Sequence, residues 1–420
     1  MPLTEELHRT LTMVLAGGQG NRLQPLTSER AKPAVPFAGL FRILDFTLTN
    51  CIHSGLRRVY VLTQYRSRSL DEHLRFGWAF LPRRLGQFIS GRPPQFAGTA
   101  SWYRGTADAI WQNIEALDEE RPDRVLILSG DHIYRMDYGR MLRQHIESGA
   151  ALTIAAIPVP VEEGSRFGVF EADERGLAVS FQEKPEHPRE IPGRPGWCLA
   201  SMGIYLFDAD ELRRRLREDA ENPESSHDFG KDIIPRMIAE SSVHVHHFTS
   251  VADSPNPYWR DIGTLDSYYE ANMDLCSALP QFNLYDHRWS IYTRQFAEPP
   301  AKVVHGDASA EEGRRTEVLD SLLCPGVVVS KAQVMRSILS YRVRIDEQAV
   351  VENSLLFSGV TVGAGAQIRR AIIDKWVEVP PGEKIGHDLE VDRKRFTVTE
   401  SGIVVVPRNY EFPGSAKRSS

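Results

Sequence analysis

Short apolar segments alternate with longer amphipathic stretches between about residue 10 and residue 275. The apolar segments have the composition of buried strands, whereas Ala107–Leu117 and Tyr138–Ser148 have the apolar period of helices. The predicted strands are Met13–Ala16, Val59–Thr63, Val125–Leu128, Leu152–Val159 and Gly203–Phe207. This alternation predicts an α/β domain with a mostly parallel sheet. Ligands of such sheets bind beyond the carboxyl ends of the strands.

A repeat replaces this alternation toward the C-terminus. Four apolar triplets start 16, 17 and 17 residues apart, at Ser321, Ser337, Ser354 and Ala371. Apolar residues also recur every six positions, at Val350, Leu356, Val362 and Ile368 and again at Ile373, Val379 and Ile385. This spacing predicts a parallel β-helix with three short strands per coil. An ordinary β-sandwich with chance spacing is the alternative.

Residues 281–317 follow neither pattern, and we predict an ordered connector there that continues into a polar loop. The predicted organisation of the 420 residues is therefore an α/β domain over 1–280, a connector over 281–317, and a β-helix domain with a C-terminal tail over 318–420.

The composition excludes several classes of partner. A formal net charge of −6 gives no general basic field for nucleic acid. No apolar run approaches the roughly 18 residues of a membrane helix, and the acidic N-terminus (MPLTEELHRT) is unlike a signal peptide. Four scattered cysteines favour neither a disulfide framework nor a zinc site. We therefore expect a cytoplasmic protein without a nucleic-acid or membrane partner.

The strongest chemical signal is a glycine-rich loop directly after the first predicted strand. Gly17, Gly18 and Gly20 would let backbone N–H groups approach an anion closely. Arg22 and Lys32 add the charge needed to hold several phosphates. The loop lacks the third glycine of a dinucleotide fingerprint and the Gly-Lys-Ser/Thr of a P-loop, so both are excluded. A simple glycine turn with scattered surface cations remains an alternative.

Two aspartates are candidates for a metal site. Asp131 follows the predicted strand Val125–Leu128, in the string LSGDHIY, and Asp261 lies in a predicted turn, in the string PYWRDIGT. Two carboxylates that meet around a cation are the usual magnesium site beside substrate phosphates. Taken singly, each aspartate is more often a turn former or a helix cap.

The string from Ala16 to Pro33 resembles the A-G-G-x-G-x-R-L-x-P-L-T…K-P signature of the sugar-nucleotide pyrophosphorylases. The strings WYRGTADAI, SHDFGKDIIP and PYWRDIGT, with the appended repeat, are similar within that family to the bacterial ADP-glucose pyrophosphorylases. The resemblance covers almost the whole chain. It implies a Rossmann-like fold of the nucleotidyltransferase type A kind, a C-terminal left-handed parallel β-helix and a homotetramer.

The resemblance also assigns the site residues. It places the catalytic roles on Arg22, Lys32 and Asp131, and a Mg²⁺ ion between Asp131 and Asp261. It places ATP against Leu15, Gly17, Gly18, Gly20, Arg22, Tyr103 and Gly130. It places glucose 1-phosphate against Tyr103, Gly168, Glu183, Lys184, Ser201, Gly203 and Asp228. For Tyr103, a role as a core tyrosine is the alternative.

The reaction that the resemblance implies joins ATP and glucose 1-phosphate into ADP-glucose and pyrophosphate, for glycogen synthesis. A uridylyl or guanylyl transferase is one alternative. A non-catalytic regulatory subunit is another, although the presence of Arg22, Asp131 and Asp261 argues against it.

Regulation by glycolytic intermediates is a further expectation from the resemblance. Arg30 and Arg42 flank the glycine loop and are predicted to bind an anionic effector; solvated surface arginines are the alternative. Some relatives that respond to fructose 1,6-bisphosphate carry a lysine three positions before the K-P lysine, where this chain has Glu29. That departure favours fructose 6-phosphate or pyruvate.

Overall fold

The structure is a computed structural model that describes residues 2–18, 20–94, 102–249, 257–305 and 316–413. The chain divides into two compact units, one of residues 1–18 and 46–259 and the other of residues 19–45 and 260–420. This division does not coincide with the predicted boundary at residue 280, because residues 19–45 group with the C-terminal part of the chain. Among the described residues, no helix has the length and apolar content needed to cross a membrane.

Both units are built from short strands and helices. In chain order, the strands are β1 (Thr10–Ala16), β2 (Pro36–Phe37), β3 (Phe41–Arg42), β4 (Arg58–Thr63), β5 (Phe88–Arg92), β6 (Arg124–Ser129), β7 (His132–Tyr134), β8 (Leu152–Pro160), β9 (Gly168–Ala172), β10 (Ala178–Glu183), β11 (Trp197–Asp208), β12 (Val243–His247), β13 (Trp259–Asp261), β14 (Lys302–Val304), β15 (Glu317–Leu319), β16 (Leu322–Leu323), β17 (Val328–Ser330), β18 (Gln333–Met335), β19 (Ile338–Leu339), β20 (Arg344–Ile345), β21 (Val350–Glu352), β22 (Leu355–Leu356), β23 (Thr361–Val362), β24 (Gln367–Arg369), β25 (Ala371–Ile373), β26 (Glu378–Val379), β27 (Lys384–Ile385), β28 (Thr397–Val398) and β29 (Val404–Val406). The helices are α1 (Leu3–His8), α2 (Ile43–His53), α3 (Arg68–Gly77), α4 (Thr106–Trp111), α5 (Glu115–Glu120), α6 (Tyr138–Ser148), α7 (Val161–Gly164), α8 (Ala209–Ala220), α9 (Ile234–Glu240), α10 (Leu265–Asp274) and α11 (Leu389–Arg393).

The first unit is built on a nine-stranded sheet in which β5, β4, β1 and β6 are parallel neighbours. Strand β11 runs antiparallel to β6, β8 and β9, and β10 runs antiparallel to β9. Within this sheet, β10 and β11 therefore run against the common direction, and the prediction of a mostly parallel sheet is confirmed. All five predicted strands lie within β1, β4, β6, β8 and β11.

Helix α6 has the bounds that the sequence pattern predicts. The side chain of Asp137 accepts a hydrogen bond from Gly139 N and caps the helix N-terminus, and Gly149 ends the helix in the left-handed conformation. The predicted helix Ala107–Leu117 is wrong in one respect, because it is divided into α4 and α5. Asn113 causes the break: its side-chain amide donates to Ala109 O and competes with the helical backbone bonds.

The second unit contains the β-helix, whose three faces are three parallel sheets. Strands β14, β17, β20, β23 and β26 form one face, and β15, β18, β21, β24 and β27 form the next. The third face holds β16, β19, β22, β25 and β29, with β28 antiparallel at its edge. The four predicted triplets stack on this third face, as their spacing requires.

The corners of the β-helix repeat with the same period as its faces. At each corner the backbone enters the left-handed region every 16 or 17 residues. The residues concerned are Asp320, Arg336, Asn353 and Arg370; Gly326, Arg342, Gly359 and Trp376; and Lys331, Gln348, Gly365 and Gly382. One residue per corner therefore turns the chain, which explains why the repeat is close to 17 residues long.

Two details of the predicted repeat need correction. Strand β14 pairs in parallel with β17, so the β-helix begins at Lys302, inside the predicted connector. Val350 is only half-buried and its neighbour Val351 is fully buried, because each coil contains one spacing of five residues as well as two of six. The predicted polar loop and C-terminal tail fall in part on residues 306–315 and 414–420, which lie outside the described residues.

Candidate functional site

The glycine loop lies at the carboxyl edge of the sheet, where β1 and β6 end side by side. Leu15 is in register with Ser129, and Gly130 N donates to Leu15 O over 3.0 Å. A β-carbon at Gly17 would lie 2.9 Å from the β-carbon of Gln64, so a side chain there would be crowded. Gly18 is exposed and has open space around its α-carbon. The backbone of this loop is thus accessible at the edge where a ligand is expected.

Asp131 occupies the neighbouring loop, immediately after β6. The hydroxyl of Ser129 donates to Oδ1 of Asp131, and His132 Nε2 lies 3.5 Å from the same oxygen. The Asp131 side chain is 29% exposed, so this carboxylate can reach a bound group. Its position beside the glycine loop follows from the register of β1 and β6.

Tyr103 is held beside the glycine loop by Gln64. Tyr103 N donates to Gln64 Oε1 over 3.0 Å, and the Tyr103 hydroxyl accepts a hydrogen bond of 3.0 Å from Asn113. Burial raises the pKa of the Tyr103 phenol, so it stays protonated at neutral pH. Tyr103 is partly buried against the core of the first unit, and its stacking on a base stays a prediction.

Glu183 and Lys184 end β10, opposite Gly168 at the start of β9. β-Carbons at Gly168 and Gly230 would lie 3.0 and 2.5 Å from Oε2 of Glu183, so the absence of a side chain at both positions makes room for this carboxylate. Lys184 Nζ lies 3.1 Å from Glu183 Oε1 and its side chain is 61% exposed. A carboxylate and an exposed ammonium group therefore stand together, as binding of a sugar phosphate requires.

A bulge in β11 brings Ser201 and Gly203 to the same region. The register of β11 against β8 shifts between Ser201 and Tyr205, and Gly203 takes a left-handed conformation within the shift. A β-carbon at Gly203 would lie 3.6 Å from the Ser129 side chain and 3.9 Å from that of His132. Gly203 therefore lies between the sugar-binding candidates and the loop that carries Asp131.

Asp228 has structural partners as well as a candidate binding role. Its Oδ1 accepts hydrogen bonds from Gly230 N and Lys231 N and caps a π-helical turn over Phe229–Ile233. Its Oδ2 accepts from the hydroxyl of Thr106 over 3.0 Å. An ionised carboxylate has about four acceptor positions, so a sugar hydroxyl can still be accommodated.

Sequence reasoning missed three residues in this region. Gln64 links the glycine loop to Tyr103, as described above. Burial raises the pKa of Tyr205, against a hydrogen bond with Ser201, and the charges of Glu183 and Asp228 raise it further, which places its hydroxyl among the sugar-binding candidates. The buried indole N–H of Trp259 has no hydrogen-bond partner among the described residues, and the ring lies 5.0 Å from that of His132. The aromatic residue before Arg260-Asp261 was the available signal for Trp259.

The remaining catalytic candidates converge within the second unit. Lys32 Nζ lies 3.3 Å from Asp261 Oδ1, and both side chains are largely buried. A β-carbon at Gly263 would lie 2.9 Å from Asp261 Oδ2 and 3.1 Å from Arg22 Nη2, so the three charged groups surround this glycine. Gly20, with φ of 64°, packs its α-carbon against Lys32 and Thr27. Arg22, Lys32 and Asp261 are thus brought together, whereas Asp131, Tyr103 and the sugar-binding candidates belong to the first unit.

The predicted effector arginines also lie in the second unit, but Arg30 is not on the surface. Its guanidinium is 3% exposed and donates to Asp374 over 2.9 Å. Its other terminal nitrogen, Nη1, is buried without a hydrogen-bond partner among the described residues. Arg42 is half-buried. The interpretation of Arg30 as a solvated surface arginine is therefore wrong.

Comparison with known proteins identifies the class of protein that this fold and these residues form. Residues 11–278 match the nucleotidyl transferase family, and residues 299–406 match the GlmU-like C-terminal hexapeptide family. The catalytic part is therefore a nucleotidyltransferase, and the β-helix is a hexapeptide-repeat domain of the predicted left-handed class.

Similar curated proteins narrow the family further. The glucose-1-phosphate adenylyltransferase 2 of Vibrio cholerae is 50% identical over 405 residues, which cover 96% of this chain and 98% of that protein. The glucose-1-phosphate adenylyltransferases of Rhodopirellula baltica and Koribacter versatilis are each 49% identical over 96% of this chain, and cover 90% and 96% of those proteins. The chain belongs to the glucose-1-phosphate adenylyltransferase family.

Proposed function

We propose that this protein transfers the adenylyl group of ATP to glucose 1-phosphate and forms ADP-glucose and pyrophosphate. The observation that carries the proposal is the convergence of Arg22, Lys32 and Asp261 around Gly263, on the same short loop system as the glycine signature. The names of relatives about 50% identical over nearly the full chain support the same substrates.

The chemistry asks for positioning and charge neutralisation more than for proton transfer. A phosphate oxygen of the sugar phosphate attacks the α-phosphorus, the bond to the β,γ-phosphates breaks, and pyrophosphate leaves. The attacking oxygen is already anionic, so no general base is needed. Arg22 and Lys32 would hold the departing pyrophosphate. Lys184 would orient the attacking phosphate, with Glu183 on the sugar hydroxyls.

We propose Asp131 and Asp261 as the ligands of a Mg²⁺ ion. Carboxylate oxygens suit this hard cation, which is commonly held by one or two carboxylates plus substrate phosphates. Among the described residues there is no cluster of three or more His, Cys, Asp or Glu side chains that could hold a metal by itself, which fits a site completed by the nucleotide. When bound, the ion would neutralise charge on the phosphates during transfer.

A pyrophosphate-release assay with glucose 1-phosphate and each nucleoside triphosphate in turn tests the proposed reaction. ATP should give the highest kcat/KM, with ADP-glucose as the sugar-nucleotide product. A higher value with UTP or GTP would assign the protein to the alternative uridylyl or guanylyl reaction. The absence of turnover with every triphosphate would support a regulatory subunit instead.

We also propose an anion-binding effector site built on Arg30 and Arg42. Burial, and then the charges of Arg42 and Arg30, lowers the pKa of Lys375 to about 7, with Asp374 opposing and Arg408 adding to the effect. Four basic residues of the second unit therefore lie close together, and Asp374 neutralises only part of their charge. The unpartnered Nη1 of Arg30 supports an anion as the missing partner.

The negative charge at the edge of this cluster bears on the choice of effector. Glu29 accepts a hydrogen bond from Arg408 over 3.0 Å and is about half-exposed. A carboxylate at this position would repel a second phosphate, so we propose fructose 6-phosphate or pyruvate as the activator in place of fructose 1,6-bisphosphate. The close sequence spacing of Arg30 and Lys32 provides a route by which an effector could bias the catalytic loop.

Arg42→Ala should retain basal activity and lose most of its activation by fructose 6-phosphate and pyruvate, because one of the cations that recognise the anion is removed. Initial rates with and without each effector measure this. Arg344→Ala is a suitable control, since Arg344 is an exposed β-helix arginine paired with Asp346. Full activation in both Arg42→Ala and Arg30→Ala would place the effector site elsewhere.

Pyruvate should bind more weakly as the pH rises above about 7. Lys375 is neutral above its pKa of about 7 in the free protein, and a bound anion favours its charged form, so binding takes up a proton. Guanidinium groups keep their charge throughout this range, and pyruvate stays ionised. The half-saturating pyruvate concentration between pH 6.5 and 9 measures the effect, and Lys375→Arg should flatten the profile. An equally steep profile in Lys375→Arg would contradict this assignment.

From the resemblance to the family, we further propose that the protein is a cytoplasmic homotetramer that supplies ADP-glucose for glycogen synthesis. Sedimentation equilibrium of the purified protein would test the oligomeric state.

A further inference from the structure

His227 is buried in an unusual backbone conformation next to Asp228. Its φ of 55° lies in the left-handed region, and only 5% of its side chain is exposed. The ring nitrogen Nδ1 is 2.8 Å from Asp219 Oδ2, on the last turn of α8. Asp219 Oδ1 accepts a hydrogen bond from Ser225, whose hydroxyl in turn accepts from His227 N over 2.9 Å. The imidazole is therefore fixed by a closed set of bonds to α8.

The backbone of the same residue organises a second segment. The carbonyl of His227 accepts hydrogen bonds from Ala107 N, over 2.9 Å, and from Asp108 N, over 3.3 Å, at the start of α4. A β-carbon at Gly105 would overlap this carbonyl, so the two segments are in direct contact. His227 therefore joins α8, through its side chain, to α4, through its carbonyl.

The turn that follows His227 carries residues of the candidate sugar site. Asp228 is its immediate neighbour and is bonded to Thr106 on α4. Gly230 lies against the carboxylate of Glu183. Any shift of the His227 backbone would therefore move Asp228 and change the space beside Glu183.

We propose that His227 is a positioning residue for the sugar-phosphate substrate, through its contact with Asp219. It sets the turn that aligns Asp228 with Glu183 and does not itself touch the substrate, since its ring is buried and occupied by Asp219. The inference rests on the proposed function, because it takes Glu183, Lys184 and Asp228 as the sugar site. A buried histidine that serves stability alone is the competing explanation.

Steady-state kinetics of the full-length protein separate the two explanations. His227→Ala and Asp219→Ala should each raise KM for glucose 1-phosphate by about 10-fold, because a small displacement of positioning groups has effects of this order or larger. KM for ATP should stay within about twofold of wild type in both variants, a limit that corresponds to less than 1.4 kcal/mol. Asp219→Ala leaves residue 227 itself unchanged and so excludes backbone strain at that residue as the cause.

His227→Asn is the conservative variant. Asparagine places an amide nitrogen near the position of Nδ1 and tolerates the left-handed conformation, so it should restore KM for glucose 1-phosphate to near the wild-type value. His145→Ala is the matched control: His145 is equally buried, on α6, with Nδ1 2.8 Å from Thr153 Oγ1. It should lower the melting temperature without changing either KM.

Three outcomes would overturn the proposal. KM for glucose 1-phosphate could be unchanged in His227→Ala and Asp219→Ala, KM for both substrates could rise together, or His227→Asn could behave like His227→Ala. Lys184→Gln, measured in parallel, identifies the failure. If Lys184→Gln raises KM for glucose 1-phosphate and the His227 and Asp219 variants do not, the positioning role is wrong. If Lys184→Gln has no effect, the sugar site is wrong and the inference falls with it.

Discussion

Asp131→Asn should reduce kcat below a tenth of the wild-type value, and our expectation is near-complete loss of turnover. The substitution keeps the shape of the side chain and removes a negatively charged metal ligand. Loss of that charge stabilisation should raise the barrier by on the order of 3–5 kcal/mol. Single-turnover pyrophosphate release at saturating ATP and glucose 1-phosphate measures the chemical step directly.

The fold should tolerate this change. Asp131 is partly exposed, and its described contacts with Ser129 and His132 are local to the loop after β6. An asparagine can still accept the hydrogen bond from Ser129. The melting temperature should therefore change little, which would separate a catalytic defect from unfolding.

Asp137→Asn provides a matched control a short distance along the chain. Asp137 is 34% exposed and caps α6 by accepting a hydrogen bond from Gly139 N. Asparagine is about as good a helix cap as aspartate, so this variant should keep both stability and activity. An Asp131→Asn enzyme with more than a tenth of wild-type kcat would exclude Asp131 as an essential ligand.

The sequence predicts best where a contact follows from local period or strand register. Ser321, Ser337 and Ser354 stack because the repeat length brings them together, and the backbone N–H of each later serine donates to the hydroxyl of the serine one coil earlier. In the same way, the end of β1 and the end of β6 meet because parallel strands share one carboxyl edge. The position of Asp131 beside the glycine loop could therefore be predicted without a structure.

The sequence predicts poorly where a contact depends on distant residues. Arg30 is paired with Asp374, 344 positions away, and no local pattern distinguishes it from a surface arginine. Gly105 must lack a side chain because the backbone of His227 lies against it, and the intervening 122 residues give no sign of that contact. The break between α4 and α5 depends on a side-chain hydrogen bond of Asn113, which a helical period does not reveal.

The candidate site shows the same division. The resemblance assigns Glu183 and Lys184 to the sugar phosphate, and the structure places them in contact with each other, opposite Gly168. Tyr205 and Gln64 were missed because each acts through neighbours that come from other strands. Tertiary packing thus determines which residues support a motif, whereas the motif itself can be identified in the sequence.

Lys184→Gln should raise KM for glucose 1-phosphate by on the order of 100-fold, with KM for ATP nearly unchanged. Loss of one charge-assisted contact with a phosphate costs roughly 1.5–3 kcal/mol, and the loss is larger where the partner is desolvated. The Lys184 side chain is 61% exposed and its ion pair with Glu183 is at the surface, so stability should change by less than about 1 kcal/mol.

Lys331→Gln is the control for this prediction, because Lys331 forms a comparable exposed pair with Glu347 over 3.0 Å in the β-helix. It should leave both KM values at wild type, so that a change seen only in Lys184→Gln reports the sugar phosphate and not a general loss of surface charge. Since Lys184 faces the substrate that attacks and not the triphosphate, the two constants should separate. An equal rise of both KM values in Lys184→Gln would mean that this lysine does not recognise the sugar phosphate, and the role would then pass to another cation of the site.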